Sequence, residues 1–207
     1  MTRIYSFLTC LLLGCSTAPA HEFWVDAESY PLRAGEVAGI VLGSGHYFPE
    51  SNRAPDSRVI HRMAVEVPDG DWIELEPGDD NGYAIPFDEP GTYRAYLVLQ
   101  PRGSPIPVYM AQAVLPVEES AIEWPEPIGE GLEVVARKSA ESGLLISVLH
   151  EGEPVRSSVV IQPEEGRTQR IRTVPDQPVH LQTETGIRYL ITARRGQQSA
   201  SLLFRLP

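Results

Sequence analysis

With 207 residues and a formal net charge of −11, the chain is too acidic to be a good nucleic-acid binder, because phosphate contacts depend on Lys and Arg. Its two cysteines, Cys10 and Cys15, both lie near the start, so the rest of the chain has neither a disulfide nor a thiolate metal site. The length suffices for one large β-domain or two small ones.

The first twenty residues have the features of a secretory signal peptide. Arg3 precedes an apolar run over residues 4–14, and the small-residue pattern Ala18-Pro19-Ala20 follows it. The apolar run is too short to span a bilayer with ordinary flanks. We therefore expect residues 1–20 to be removed, a periplasmic location, and a mature chain that begins with His21.

A second interpretation of the same segment stays open. Residues 12–15 read LLGC, which resembles a lipobox, and cleavage there would leave a lipidated Cys15 as the new N-terminus. In that case the protein is a membrane-anchored lipoprotein, and His21 has no free amine.

The remaining chain predicts an all-β fold of two small β-sandwich domains. Helical periodicity is nearly absent, and short alternating runs recur between turns rich in Pro, Gly and Asp. Predicted strands of the first half are Val37–Leu42, Arg58–Val67, Trp72–Leu75, Tyr83–Phe87, Thr92–Leu99 and Val108–Leu115. Six strands over this length are typical of an immunoglobulin-like sandwich, which we assign to residues 21–116.

An acidic segment rich in Pro and Gly, residues 117–131, is the predicted linker between the two sandwiches. It contains Trp124, which we expect to pack against a domain face. Predicted strands of the second half are Leu132–Ala136, Leu144–Leu149, Val155–Gln162, Gln169–Thr173, Val179–Thr183, Ile187–Ala193 and Ala200–Arg205.

Two short sequence motifs in the second half resemble those of a known module family. Residues 151–155 read EGEPV and are followed by Val159 and Val160, and residues 186–193 read GIRYLITA. This order resembles the transthyretin-like modules, also called carboxypeptidase regulatory-like domains. The resemblance implies a small, seven-stranded, non-catalytic sandwich over residues 132–207.

A glycine precedes a strand tyrosine once in each half, at Gly91 and Tyr93 and at Gly186 and Tyr189. This pattern is typical of the tyrosine that closes a corner of a β-sandwich. We expect structural roles for both phenols.

Histidine supplies the candidate metal ligands, since no cysteine follows residue 15. His46 lies in the phrase GSGHYFPE at residues 43–50, where two glycines and a proline predict a loop at one end of the sandwich. His61 falls on a predicted apolar strand face with Met63 and Val65, which favours a partly buried structural role. For His150 and His180 we expect surface or structural roles.

The HEFW start at residues 21–24 and the phrase GHYFP at residues 45–49 occur together, in that order, ahead of the transthyretin-like segment. This combination resembles a family of secreted bacterial proteins associated with nickel and cobalt uptake. The resemblance implies a periplasmic component that handles a divalent metal ion and an inner-membrane metal transporter as partner. Members of the family can carry transmembrane helices, and this chain has none.

The residues also allow a metal site by their own chemistry. The amine and Nδ1 of a terminal His21, with the imidazole of His46, would form the three-nitrogen arrangement called a histidine brace. This arrangement suits copper, and nickel if further ligands, such as His61 or a carboxylate, complete a tetragonal set.

We therefore predict a metal-binding protein without enzymatic activity, with a tethered adhesion or scaffold lipoprotein as the alternative. An oxidative copper enzyme of the kind that cleaves polysaccharides is a weaker third hypothesis. No hydrolase triad, nucleophile elbow or phosphate-binding loop is recognisable in the sequence.

Overall fold

The computed structural model describes residues 22–207, apart from residues 52, 79–81, 119–120, 141 and 176. The predicted signal peptide, the alternative lipid site at Cys15 and the candidate ligand His21 all lie outside the described residues. Within the described residues the protein is all-β, which confirms the predicted fold class. None of these residues forms a helix long and apolar enough to cross a bilayer.

The strands divide between the two halves of the chain. Those of the first half are β1 Glu22–Ala27, β2 Glu36–Gly45, β3 Ile60–Glu66, β4 Trp72–Glu74, β5 Tyr83–Phe87, β6 Gly91–Leu99 and β7 Tyr109–Val117. Those of the second half are β8 Leu132–Lys138, β9 Leu144–His150, β10 Glu153–Pro154, β11 Ser157–Pro163, β12 Gln169–Thr173, β13 Val179–Leu181, β14 Arg188–Arg195 and β15 Gln198–Arg205. Every strand predicted from the sequence is present, with ends that differ by a few residues.

One long sheet runs through both halves, in the strand order β12-β11-β14-β15-β7-β6-β3-β4. Its two halves meet where β15 pairs in parallel with β7, over Ser199–Phe204 and Tyr109–Val114. A sheet of β1, β2 and β5 covers one face of the long sheet, and a sheet of β8, β9, β10 and β13 covers the other. We call these face one and face two.

The central strands are buried on both sides because the two covering sheets lie on opposite faces. In β7, Ala111, Ala113 and Leu115 belong to the core on face one, and Met110 and Val114 belong to the core on face two. All nine residues of β7 are buried, which explains why its sequence, YMAQAVLPV, is apolar without strict alternation.

Each half of the chain thus builds a two-layer sandwich, and the two sandwiches are fused edge to edge. The first has residues 22–117 in both layers, and the second has residues 132–205. The parallel junction of β7 with β15 joins segments about 90 residues apart, which no local sequence pattern indicates. The exact domain boundaries at residues 116 and 131 stay a prediction.

The segment between β7 and β8 packs against both sandwiches in its described part. Trp124 contacts Phe204 edge to face, at 5.2 Å between ring centroids. The buried Glu133 carboxylate accepts hydrogen bonds from the backbone N–H groups of Ile128 and Gly129, at 3.0 and 3.3 Å. These contacts hold the segment against the sheet along its second half.

Both tyrosine corners are confirmed. The Tyr93 hydroxyl donates to the carbonyl of Glu89 and accepts from the N–H of the same residue, at 3.1 and 3.2 Å. The Tyr189 hydroxyl accepts from the N–H of Glu184 at 2.9 Å. Each phenol therefore ties the start of its strand to the loop four or five residues upstream.

Candidate functional site

The two glycines of the phrase GSGHYFPE belong to strand β2 and not to a loop. β2 extends to Gly45, and its antiparallel ladder with β1 pairs Gly43 with Trp24 and Gly45 with Glu22. A Cβ on Gly43 would clash with the indole ring of Trp24, which is 2% exposed. Gly43 is therefore required for space and not for backbone freedom, and the predicted loop begins only at His46.

Strand β1 is held against the second half of the chain by two ion pairs with β14. Arg194 contacts Glu22 at 2.7 Å, and Arg188 contacts Asp26 at 2.7 Å. The Ser201 hydroxyl donates to the carbonyl of Phe23 at 2.7 Å. The position of β1 therefore depends on residues more than 160 positions later in the chain.

The loop after β2 packs onto the same region. The Phe48 ring lies edge to face on Trp24, at 5.7 Å, and the Arg188 guanidinium lies 5.5 Å from its centroid. The backbone carbonyl of His46 accepts a hydrogen bond from Gln162 Nε2 at 3.3 Å. His46 itself is partly buried, and the next residue, Tyr47, has a side chain that is 74% exposed.

These elements form one side of a groove of about 540 Å³, which is the candidate functional site. Its floor is the part of face one that the β1-β2-β5 sheet leaves uncovered on strands β11, β12 and β14. Its wall is the start of β1 with the loop at His46 and Tyr47. The volume falls in the range of sites for small ligands.

The floor consists of two rows of side chains that cross the strands. One row contains Arg170, Val160 and Thr192, and the other contains Arg172, Ser158 and Arg194. The guanidinium groups of Arg170 and Arg172 form no ion pair with any carboxylate of the described residues. The groove is therefore cationic along its β12 side, although the whole chain is acidic.

Two buried polar atoms of the groove have no hydrogen-bond partner among the described residues. They are Oε1 of Gln162 and Oγ1 of Thr192, in side chains that are 8% and 1% exposed. Native proteins pair most buried polar atoms, so an unpaired atom in a groove wall is a candidate ligand contact.

Charge interactions shift pKa values beside the groove. Burial raises the pKa of Asp26, although the Tyr30 hydroxyl and Arg188 act against that shift. Hydrogen bonding to Arg188 lowers the pKa of Glu164, and the same contact raises the pKa of Arg188. Burial, followed by the nearby Glu22 carboxylate, raises the pKa of Tyr109. These groups hold β1 in place, and none of them is part of the groove floor.

The structure does not bring His61 together with His46. The expected burial of His61 with Met63 and Val65 is wrong, because a bulge between Ile60 and Arg62 shifts the register of β3 against β6. The added residue puts Met63 and Val65 on the opposite face from His61, which is exposed. It lines a pocket with Tyr96 on face two, whereas His46 lies at the groove on face one.

The other histidines lie away from the groove. His150 Nε2 lies 2.9 Å from Gln198 Oε1, and His180 is exposed on β13. Among the described residues, no three His, Cys, Asp or Glu side chains are grouped so that they could hold a metal ion. A site at His46 therefore depends on ligands outside the described residues.

Sequence reasoning missed the floor of the groove. The segment QRIRT of β12 shows Arg170 and Arg172 two residues apart, which places both on one face of a strand. That face remains open only because the β1-β2-β5 sheet covers the first half of the long sheet. The signal is visible in the sequence, but its exposure depends on tertiary structure.

Comparisons with known proteins identify no family for this chain. No family model matches the chain, and no curated protein matches it. Among solved structures, the chain is similar to a segment of two fibronectin type-III domains from chicken tenascin. The two are 15% identical, the alignment covers 89% of this chain and 99% of that one, and the TM-score is 0.31. This likeness is too low to transfer a function.

Proposed function

We propose that the mature protein is a periplasmic transition-metal-binding protein, with a site formed by His21 and His46 at the rim of the groove. The metal is nickel, cobalt or copper, and the protein acts as an accessory component of metal uptake or homeostasis. No catalytic step is part of this proposal.

The register of the β1-β2 ladder is the single observation that supports this site. Its last pair joins Glu22 with Gly45, and these are the covalent neighbours of His21 and His46. This pairing favours a shared site, because each histidine is directly adjacent in the chain to one member of the pair.

The chemistry of the donors indicates which metals suit the site. A terminal His21 contributes its amine and Nδ1, and His46 contributes one imidazole. Nitrogen ligands of this kind favour copper and nickel, and the absence of cysteine after residue 15 leaves no thiolate to select zinc.

The test combines mass analysis of the native N-terminus with metal titration. We expect a chain that starts at His21 and binds one equivalent of metal, with affinity lowered by about 100-fold or more in His21→Ala and in His46→Ala. His180→Ala is the matched control, since that imidazole is exposed on a distant strand. Failure of the correctly processed chain to bind any of the three metals contradicts the proposal.

N-terminal acetylation of the chain that begins at His21 separates the brace from an ordinary two-histidine site. It preserves both imidazoles but removes the terminal amine as a donor. We expect copper affinity to fall, and unchanged affinity would show that the amine is not a ligand. If mass analysis finds a lipidated Cys15 instead, the alternative of a tethered scaffold lipoprotein replaces this proposal.

A further inference from the structure

We infer that the groove on face one binds an acidic saccharide, a hydroxylated ligand whose carboxylate pairs with Arg170 and Arg172. This inference concerns a different set of residues from the metal proposal and does not depend on it. Three observations on the groove carry it.

The first observation is the open pair of guanidinium groups. Arg170 and Arg172 are exposed, project from the same face of β12, and have no carboxylate partner among the described residues. Arginine forks bind carboxylates through two parallel hydrogen bonds. Arg194, on the far side of the floor, is already paired with Glu22, so the free positive charge is concentrated on the β12 side.

The second observation is the pair of unsatisfied polar atoms. Oε1 of Gln162 is an amide oxygen and can only accept a hydrogen bond, while the Nε2 of the same side chain donates to the backbone carbonyl of His46. Oγ1 of Thr192 can accept or donate. A ligand hydroxyl satisfies both requirements, whereas a second carboxylate would repel the acceptor. The groove therefore favours a ligand that has hydroxyl groups in addition to a carboxylate.

The third observation concerns size and shape. Tyr47 presents a 74% exposed aromatic ring at the wall, an amphipathic surface suited to the apolar face of a sugar ring. Thr192 lies two strands away from Arg170, a separation of about 10 Å between backbones. A ligand of two sugar rings is long enough to cover this distance.

Calorimetric titration with digalacturonate, in buffer that contains a metal chelator, tests the inference. We expect saturable binding that is weakened roughly tenfold by Arg170→Gln and by Arg172→Gln. Arg167→Gln, an exposed arginine outside the groove with the same change of charge, is the control and should bind normally. Cellobiose, which has the rings without the carboxylate, should not bind.

The variant Thr192→Val distinguishes a ligand contact of Thr192 from a purely structural role of this residue. The substitution removes the unsatisfied hydroxyl at nearly constant shape, so the chain should be as stable as the wild type or more so. Affinity for digalacturonate should nevertheless fall.

The inference is overturned if the folded chain fails to bind digalacturonate, or if cellobiose binds equally well. Binding of citrate with no binding of digalacturonate overturns the saccharide assignment. Because the chelator keeps metal out of the titration, failure here leaves the His21 and His46 proposal untouched, and the reverse also holds.

Discussion

At the scale of single residues, Gly43 is a tightly constrained position at the groove. Its neighbour across the ladder, Trp24, fills the space that a side chain at position 43 would occupy. Trp24 in turn supports Phe48, which lies beside the loop that carries His46. One missing Cβ therefore determines how closely β1 and β2 approach at the rim of the groove.

Gly43→Ala should lower the free energy of unfolding by about 2–3 kcal/mol, because the indole must move within a packed core. The matched control is Gly39→Ala in the same strand, where the added Cβ meets only the end of the Glu28 side chain. Glu28 is exposed and can rotate away, so this variant should lose well under 1 kcal/mol. Chemical denaturation of both variants measures the difference. Equal stability of the two would contradict the role assigned to Trp24.

The raised pKa of Tyr96 predicts part of how the stability of the fold changes at alkaline pH. Burial, followed by the charges of Glu130 and Glu133, raises its pKa from 10.0 to about 12. A raised pKa means that the folded state holds the proton more tightly than the unfolded state. Its contribution to stability is thus fully present below pH 10 and is lost as the pH rises through about 12.

Tyr96→Phe keeps the ring but removes the titration. Between pH 10 and about 12 the variant should lose about 2 kcal/mol less stability than the wild type. Denaturant titrations at neutral pH and across this range measure the effect. Tyr30 and Tyr109 also have raised pKa values, so some alkaline loss should persist in the variant. An unchanged pH profile would show that Tyr96 ionises freely in the folded chain.

At the scale of elements, the segment between β7 and β8 illustrates how buried charge fixes an irregular stretch of chain. Arg94 on β6 is 4% exposed and contacts Glu66 at 2.6 Å, the carbonyl of Glu126 at 2.7 Å and the ring of Trp72. The Glu133 carboxylate also accepts from Gln112 Nε2 at 3.0 Å. These charged groups occupy face two, at the boundary between the two sandwiches.

Glu133→Ala should release this segment. The substitution leaves the N–H groups of Ile128 and Gly129 without their acceptor, at a cost of about 2–4 kcal/mol. We expect faster proteolytic cleavage within residues 118–131, measured by limited digestion and mass spectrometry. Glu130→Ala, at an exposed glutamate of the same segment, should be cleaved at the wild-type rate. Identical digestion of all three proteins would indicate that Glu133 does not hold the segment.

The positions of the strands were the part of the fold that could be predicted best from the sequence. Alternation and turn residues located the strands because these signals are local, and the tyrosine corners followed from a glycine placed two or three residues earlier. The bulge beside His61 could not be predicted, since it depends on how β3 meets β6. The open floor at Arg170 and Arg172 could not be predicted either, because it depends on which strands a distant sheet covers.

At the scale of the whole molecule, two cores share the same central strands. β6, β7, β14 and β15 each contribute side chains to the core on face one and to the core on face two. Because the same strands carry both cores, unfolding these strands on one face also removes them from the core on the other face. The protein should therefore unfold as one cooperative unit.

Calorimetry should show a single transition whose calorimetric and van't Hoff enthalpies agree. Leu97→Ala in the first core and Ile146→Ala in the second should each cost about 2–5 kcal/mol and lower the temperature of that single transition. Two separate peaks, with each variant shifting only one, would contradict the coupling of the cores.

The parallel pairing of β7 with β15 also has a consequence for the order of events during synthesis. β7 lies at the middle of the long sheet, yet the strand that completes its edge is made about 90 residues later. Until then, β7 pairs with β6 on one side only, and its other edge is a template for mispairing with another copy. Long-range pairing of this kind also slows folding. The open edge of β7 therefore stays exposed to mispairing until β15 has been synthesised.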